Sequence, residues 1–185
     1  MKLHRILGIA GAVTAYLFIT ICIGVSPWFN FYNNALSDLG NSATHDATSW
    51  IFNTGLILSG LLEASFAILV LAKNLSWKYV VWTIPLIIAS IDLAMLGFFP
   101  ENTGGIHLAV SIIFFAFIEI TMLIYSYASW PLGSPVIGAV ALIMGIASAI
   151  IWFAKWPWSG VAIQETVTSF AATFWLILIC LFDRH

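Results

Sequence analysis

Charge is what this sequence has least of: six Lys and Arg and eight Asp and Glu among 185 residues, 8% in all, with a formal net charge of −2. A water-soluble domain of this length needs several times that polar surface, so a soluble globular protein is excluded and lipid is the natural solvent. So nearly neutral a chain also lacks the electrostatic footprint of a nucleic-acid binder. Cysteine is scarce too. Cys22 and Cys180 fall near opposite ends of apolar runs, on the order of 25 Å apart across a bilayer, whereas a disulfide needs Cα atoms within about 7 Å. No intrachain disulfide is expected. Neither a metalloprotease-type H-E-x-x-H spacing nor a catalytic-triad motif is present.

What is present is apolar length. Hydrophobic residues make up 62% of the chain, and its mean hydropathy is +1.04. A helix needs roughly 20 apolar residues to cross a hydrocarbon core, and such runs occupy residues 6–26, 50–72, 79–99, 106–128, 135–153 and 160–182. The fold class is therefore all-α, a polytopic bundle of six transmembrane helices forming a single integral membrane domain over residues 1–185, multi-pass in a cell membrane. The first run is long for a secretory signal and has no small-x-small cleavage site, so it reads as a retained helix. Lys2, Arg5, Lys73, Lys78 and Arg184 fall on one side of the spans and only Lys155 on the other, which predicts that both the N-terminus and the C-terminus are cytoplasmic. Interfacial tryptophans agree: Trp28, Trp50, Trp156 and Trp158 at the outer ends, Trp77, Trp82 and Trp130 at the inner ones.

Most connections are short, and those at residues 73–78 and 129–134 predict antiparallel neighbours for helices two and three and for helices four and five. Pro85 is expected to kink helix three. The external loop 27–49 is the exception in length. It is too aromatic for a solvated linker, and Phe29, Phe31, Leu36 and Leu39 predict a segment folded back over the helix ends, with a short helix stopped at Gly40.

Ionisable groups inside hydrocarbon cost several kcal/mol unless paired or hydrated, so each is a functional candidate. Glu63 and Glu119 fall roughly 20 Å below the outer helix ends, Asp92 about 10 Å and Glu165 about 8 Å, at about 1.5 Å rise per residue. No Lys or Arg reaches them. Asn53, Gly60 and Glu63 share one face of helix two, and Glu165, Thr168, Ser169 and Ala172 one face of helix six. Nearer the rim, Asp38, His45, Asp46, Glu101 and His107 join Glu165. An imidazole among carboxylates suits general acid–base catalysis, with Asp38, His107 and Glu165 as the catalytic set, or a divalent metal such as zinc held by Asp38, His107, Glu165 and Glu101. The structural alternative is that His107 bonds a loop carbonyl, Asp38 caps a short helix, and Glu63 and Glu119 are neutral carboxyls bridging helices.

Ser37-Asp38-Leu39-Gly40 after the first span, Phe99-Pro100 followed by His107, and Gly160 with Glu165 opening the sixth resemble the archaeal and bacterial membrane family catalogued as domain of unknown function 998. The resemblance covers nearly the whole chain. It implies a six-helix bundle, loosely grouped with eukaryotic membrane proteins of lipid-anchor remodelling, and it stresses Asp38, His107 and Glu165. The family often has arginine after the sixth-helix glutamate; Thr166 stands there in this chain, so no Glu–Arg pair exists. Three functions stay open: an enzyme, hydrolase or transferase, acting on a membrane lipid or amphiphile at the outer face with metal assistance; a proton- or cation-linked carrier using Asp92, Glu63 and Glu119; and a non-catalytic scaffold or subunit. Lipid is the expected partner, nucleic acid is not, and the sequence names no protein partner.

Overall fold

The computed structural model describes residues 2–182 and, within them, every side chain but that of Asp46. Six α-helices follow one another: α1 Leu3–Gly24, α2 Asp46–Lys73, α3 Trp77–Phe98, α4 Gly105–Ala128, α5 Pro135–Phe153 and α6 Ala162–Phe182. Each is long and apolar enough to cross a membrane, and no strand occurs among the described residues. The helix ends lie close to the expected spans. α2 starts four residues before Trp50, because its first turn, Asp46-Ala47-Thr48-Ser49, is helical yet too polar for hydropathy to register.

Consecutive helices pack side by side, and α6 returns to α1, so the bundle is a closed antiparallel ring in which α4 also touches α6. Without a hydrophobic drive between helices in lipid, close approach depends on small residues. At Gly60 the α2 backbone meets α3 so tightly that a Cβ would lie 2.5 Å from both the Ser90 carbonyl oxygen and the Ala94 nitrogen.

The two ends of the ring differ. At the end carrying Lys2, Arg5, Lys73 and Lys78, basic side chains tie helix termini together: Lys73 Nζ lies 2.9 Å from His4 Nδ1, and Lys78 Nζ donates to the Pro131 carbonyl at 3.0 Å. Arg184 falls outside the described residues. Just inside this basic end, Trp82, Tyr125 and Trp175 form an edge-to-face stack with centroids 5.3 Å apart in both pairs. All three are fully buried, and Phe66 and Met122 pack beside them in the same core. Trp82 is therefore not an interfacial anchor as its position near the span end suggests; its partner Tyr125 on α4 draws it inward. Trp77 and Trp130 are exposed at that end as expected. α3 runs unbroken through Pro85. Cys22 and Cys180 are free and buried.

Filling the α2–α3 contact tests this packing. Gly60→Val should lower stability by about 1–3 kcal/mol, the usual cost of overpacking, seen as a fall in Tm in detergent. Gly24→Ala, at a site with no atom within 4 Å, should leave Tm unchanged.

Candidate functional site

The segment between α1 and α2 folds over the other end of the ring. Asn30 and Asn34 organise its first half: Asn30 Oδ1 accepts the Tyr32 N–H at 2.8 Å, and Asn34 Oδ1 accepts the Asn30 N–H at 2.9 Å. Leu36–Gly40 then forms a 3₁₀ turn with Leu36, Leu39 and Gly40 buried, as the apolar spacing and Gly40 predict. Asp38 closes this turn from inside, its Oδ2 accepting the Asn34 amide at 2.7 Å and the Ala35 N–H at 3.1 Å. Three other elements grip the lid. Asn53 of α2 donates to the Gly40 carbonyl at 3.0 Å, and Asn41 donates to Glu101 Oε2 at 3.0 Å. At the start of α6, the N–H groups of Gly160, Val161 and Ala162 donate to the carbonyls of Tyr32 and Asn34. Gly160 is required for that approach, since a Cβ there would run into the Asn34 backbone.

Glu165, in the first turn of α6, is buried and accepts the Leu36 N–H on Oε2 at 2.5 Å. Its Oε1 has no hydrogen-bond partner among the described residues. His107, in the first turn of α4, donates from Nδ1 to the Phe99 carbonyl at 2.7 Å. That bond assigns the proton of the neutral ring to Nδ1 and leaves Nε2 as a lone-pair nitrogen. Asp38 and Glu101 face each other closely enough to share a hydrogen bond, and both are near enough to Glu165 to act on it electrostatically. Burial, and after it the Asp38 carboxyl, raise the Glu101 pKa above its ordinary value, while the Asn41 amide opposes them.

Two cavities meet at this cluster. One is a narrow interior channel under the lid, walled by α1, α2, α3, α4 and α6 and reaching inward to Glu63. The other, about 640 Å³, is a groove along α4, α5 and the start of α6, edged by exposed Leu108, Ile112 and Phe153 and reaching Glu119. Ser37, His107, Ser111, Phe115 and Glu165 line both. They form the partition between a channel inside the bundle and a groove on its membrane-facing side.

The sequence-derived candidates thus separate. His107 and Glu165 come together at the partition, with Glu101 at the mouth of the groove. Asp38 stands behind them as the residue that shapes the lid. His45 stacks on Trp28, centroids 3.8 Å apart, and lines neither cavity. The expected metal set of Asp38, His107, Glu165 and Glu101 finds no support: among the described residues, no three His, Cys, Asp or Glu side chains are grouped so as to hold an ion. The set divides because Asp38 is turned to the Asn34 amide and the Ala35 N–H and Glu101 to the Asn41 amide, while His107 and Glu165 stand at the partition. Nor do the deep carboxyls form one line. Glu63 ends the channel beside Ser59, Glu119 faces the groove with its Oε1 buried and unpartnered, and half-buried Asp92 lines neither cavity. The shared face on α2 also divides, Asn53 holding the lid, Gly60 packing on α3 and Glu63 reaching the channel. On α6, Glu165, Ser169 and Ala172 line the channel, and Thr168 turns to Trp152 of α5 at 2.9 Å. Ser37, Ser111 and Phe115 were not among the candidates. Ser37 adjoins Asp38, but a loop serine carries no burial cost that would single it out.

A Glu101 that keeps its proton to higher pH in the folded chain than in the unfolded one gives a pH test. Between its ordinary pKa and its raised one, the folded chain binds a proton that the unfolded chain has lost, so this contribution to lid stability is present on the acid side and lost as pH rises. Hydrogen exchange in residues 34–41, corrected for intrinsic rates, should show protection falling with rising pH. Glu101→Gln, whose amide always offers Asp38 a donor, should hold protection level; parallel slopes in the two proteins would contradict the assignment.

No curated protein and no solved structure matches the chain. Residues 9–181 match a family described as protein of unknown function (DUF998). With a match that spans six apolar helices, the lid and both cavities, the chain belongs to the DUF998 family.

Proposed function

We propose that the protein is a membrane-embedded hydrolase or transferase acting on a lipid or other amphiphile, with the lidded end on the outer face of a cell membrane and the basic end in the cytoplasm. The orientation rests on Lys2, Arg5, Lys73 and Lys78 gathering opposite Lys155. One observation carries the activity: His107 and Glu165 lie on the partition between an interior channel and a lipid-side groove. An amphiphile in the groove brings its polar group to that partition while its chain stays among exposed apolar residues. There His107 Nε2 accepts a proton from the attacking group, a water or the Ser37 hydroxyl, and returns it to the leaving group. Glu165 Oε1 supplies the complementary acid or polarises the reacting carbonyl or phosphoryl group. Asp38 and Glu101 position the lid.

A non-catalytic scaffold has one specific observation in its favour: the bonds from Glu165 to Leu36, His107 to Phe99, and Asp38 to Ala35 also hold the lid in place. Reconstitution separates the two. Liposomes carrying a phospholipid, a glycolipid and a lipid-anchored peptide are incubated with the protein, and products are read by mass spectrometry. Turnover should fall about 10²–10⁴-fold in His107→Gln and Glu165→Gln, the typical worth of a general acid or base, and persist in Asp92→Asn. No product from any of the three classes would overturn the enzymatic reading and favour the scaffold.

A further inference from the structure

Three helices line the interior channel over equal stretches, Phe52 to Glu63 on α2, His107 to Ile118 on α4 and Glu165 to Leu176 on α6. At about 1.5 Å rise per residue each stretch is about 16 Å long. The lid roofs one end of the channel, and below the other stands the Trp82, Tyr125, Trp175 stack, with Trp175 adjoining the wall residue Leu176.

The hydroxyls along its wall decide what it accepts. Tyr16 bonds the Ser169 hydroxyl at 2.8 Å, and Ser169 donates to the Glu165 carbonyl at 2.7 Å. Ser59 donates to the Gly11 carbonyl at 2.8 Å, Ser111 to the His107 carbonyl at 2.8 Å, and Thr173 to the Ala12 carbonyl at 3.4 Å. Each polar hydrogen is spent on protein, so the wall offers the lumen mainly carbon. Water needs two to four polar partners to be held in a cavity, and the middle of this channel supplies few. Polar groups remain at its ends: Ser37, His107 and Glu165 at the top, Glu63 at the floor.

We infer that the channel is a tail pocket for a single unbranched alkyl chain of the amphiphile, with the headgroup at His107 and Glu165 and Glu63 as the floor that limits chain length. The inference rests on the reading of this site as an amphiphile site and names the part of the substrate it measures. A straight chain on the order of a dozen carbons fills the length at ordinary C–C bond distances. Phe115, which lines both cavities and packs against Phe114 and Trp152 with centroids 4.9 Å away in each case, stands where the chain passes from groove to channel.

Single-chain alkylphosphocholines of graded length, each with a terminal diazirine, test this on the full chain in nanodiscs. Photolabelled residues are mapped by mass spectrometry. Chains near the channel's length should label Glu63, a carboxyl that alkyl diazirines attack readily, and much shorter ones should not. Ala15→Phe, which blocks the lumen partway down, should cut Glu63 labelling at least tenfold while labelling near Ser37 persists; retained lid labelling also shows that the variant is folded. Asp92→Asn, at a residue that lines neither cavity, should label as wild type does. Labels confined to Leu108, Ile112 and Phe153 at every length, or Glu63 labelling indifferent to Ala15→Phe, would overturn the tail pocket. Turnover without Glu63 labelling rejects this inference and keeps the enzyme; Glu63 labelling without turnover keeps the pocket and rejects the enzyme.

Discussion

Glu165 accepts the Leu36 N–H at a depth where neither group has ready recourse to water, and the lid depends on that bond. The start of any helix has N–H groups without intrahelical partners, and in a membrane protein an unsatisfied one costs several kcal/mol. The lid answers by turning the carbonyls of Tyr32 and Asn34 toward the N–H groups that lead into α6. It has a complementary need, since the N–H of Leu36 opens a 3₁₀ turn and also lacks a partner within it. Glu165 meets that need from the first turn of α6, where the helix dipole favours a carboxyl. Each element thus completes the other's backbone hydrogen bonding, and a loop rich in aromatic and apolar residues is held over the bundle instead of drifting in the interface.

Fixing the lid makes the two halves of the bundle unlike. Toward the basic end the ring is filled by Trp82, Tyr125, Trp175, Phe66 and Met122, all fully buried. Toward the lid the channel wall interleaves small residues, Ala12, Ala15, Ser59, Ala172 and Thr173, with larger ones such as Phe52 and Phe114. The channel is where bulk is missing beneath a roof. A path across the membrane would need polar groups continuing through the aromatic stack, and the acids at Glu63, Glu119 and Asp92 lie in three different settings instead. An asymmetric bundle with one lidded end and a membrane-facing groove suits a molecule that stays in one leaflet.

The six helices were legible because a bilayer imposes one length and one polarity on every span, and that constraint survives ignorance of packing. Emphasis on His107 and Glu165 was legible for a related reason: with so few charges, each buried one has to justify its cost. The burial of Trp82 was not legible because its partner Tyr125 comes from α4, which no local pattern reveals. The four-ligand metal set overreached for a similar reason. Residue types suitable for a metal stand near one rim, but which way each side chain turns depends on backbone groups of Leu36, Ala35 and Phe99 and on the amides of Asn34 and Asn41, and sequence carries no record of such bonds. Phe115 was invisible because an aromatic residue is not unusual there, and Ser37 stood out only as part of the Ser37-Asp38-Leu39-Gly40 motif.

The structural and chemical readings of His107 and Glu165 are less opposed than they look. Each side chain has two polar atoms, and the fold takes one: Nδ1 for Phe99, Oε2 for Leu36. The atom taken fixes the orientation of the atom left. An imidazole without its Nδ1 bond would sample both tautomers and several rotamers, and only a fraction would present a basic nitrogen to the partition. A carboxyl without Leu36 would be free to turn toward Asp38 and Glu101 or toward water. Preorganised sites are built this way, with one contact spent on holding and the other kept for the ligand. The bonds that a scaffold would need are the same bonds that make Nε2 and Oε1 usable, so their presence does not weigh against catalysis. What separates the readings is the fate of the uncommitted atoms, and in this fold both belong to residues that line the channel and the groove alike.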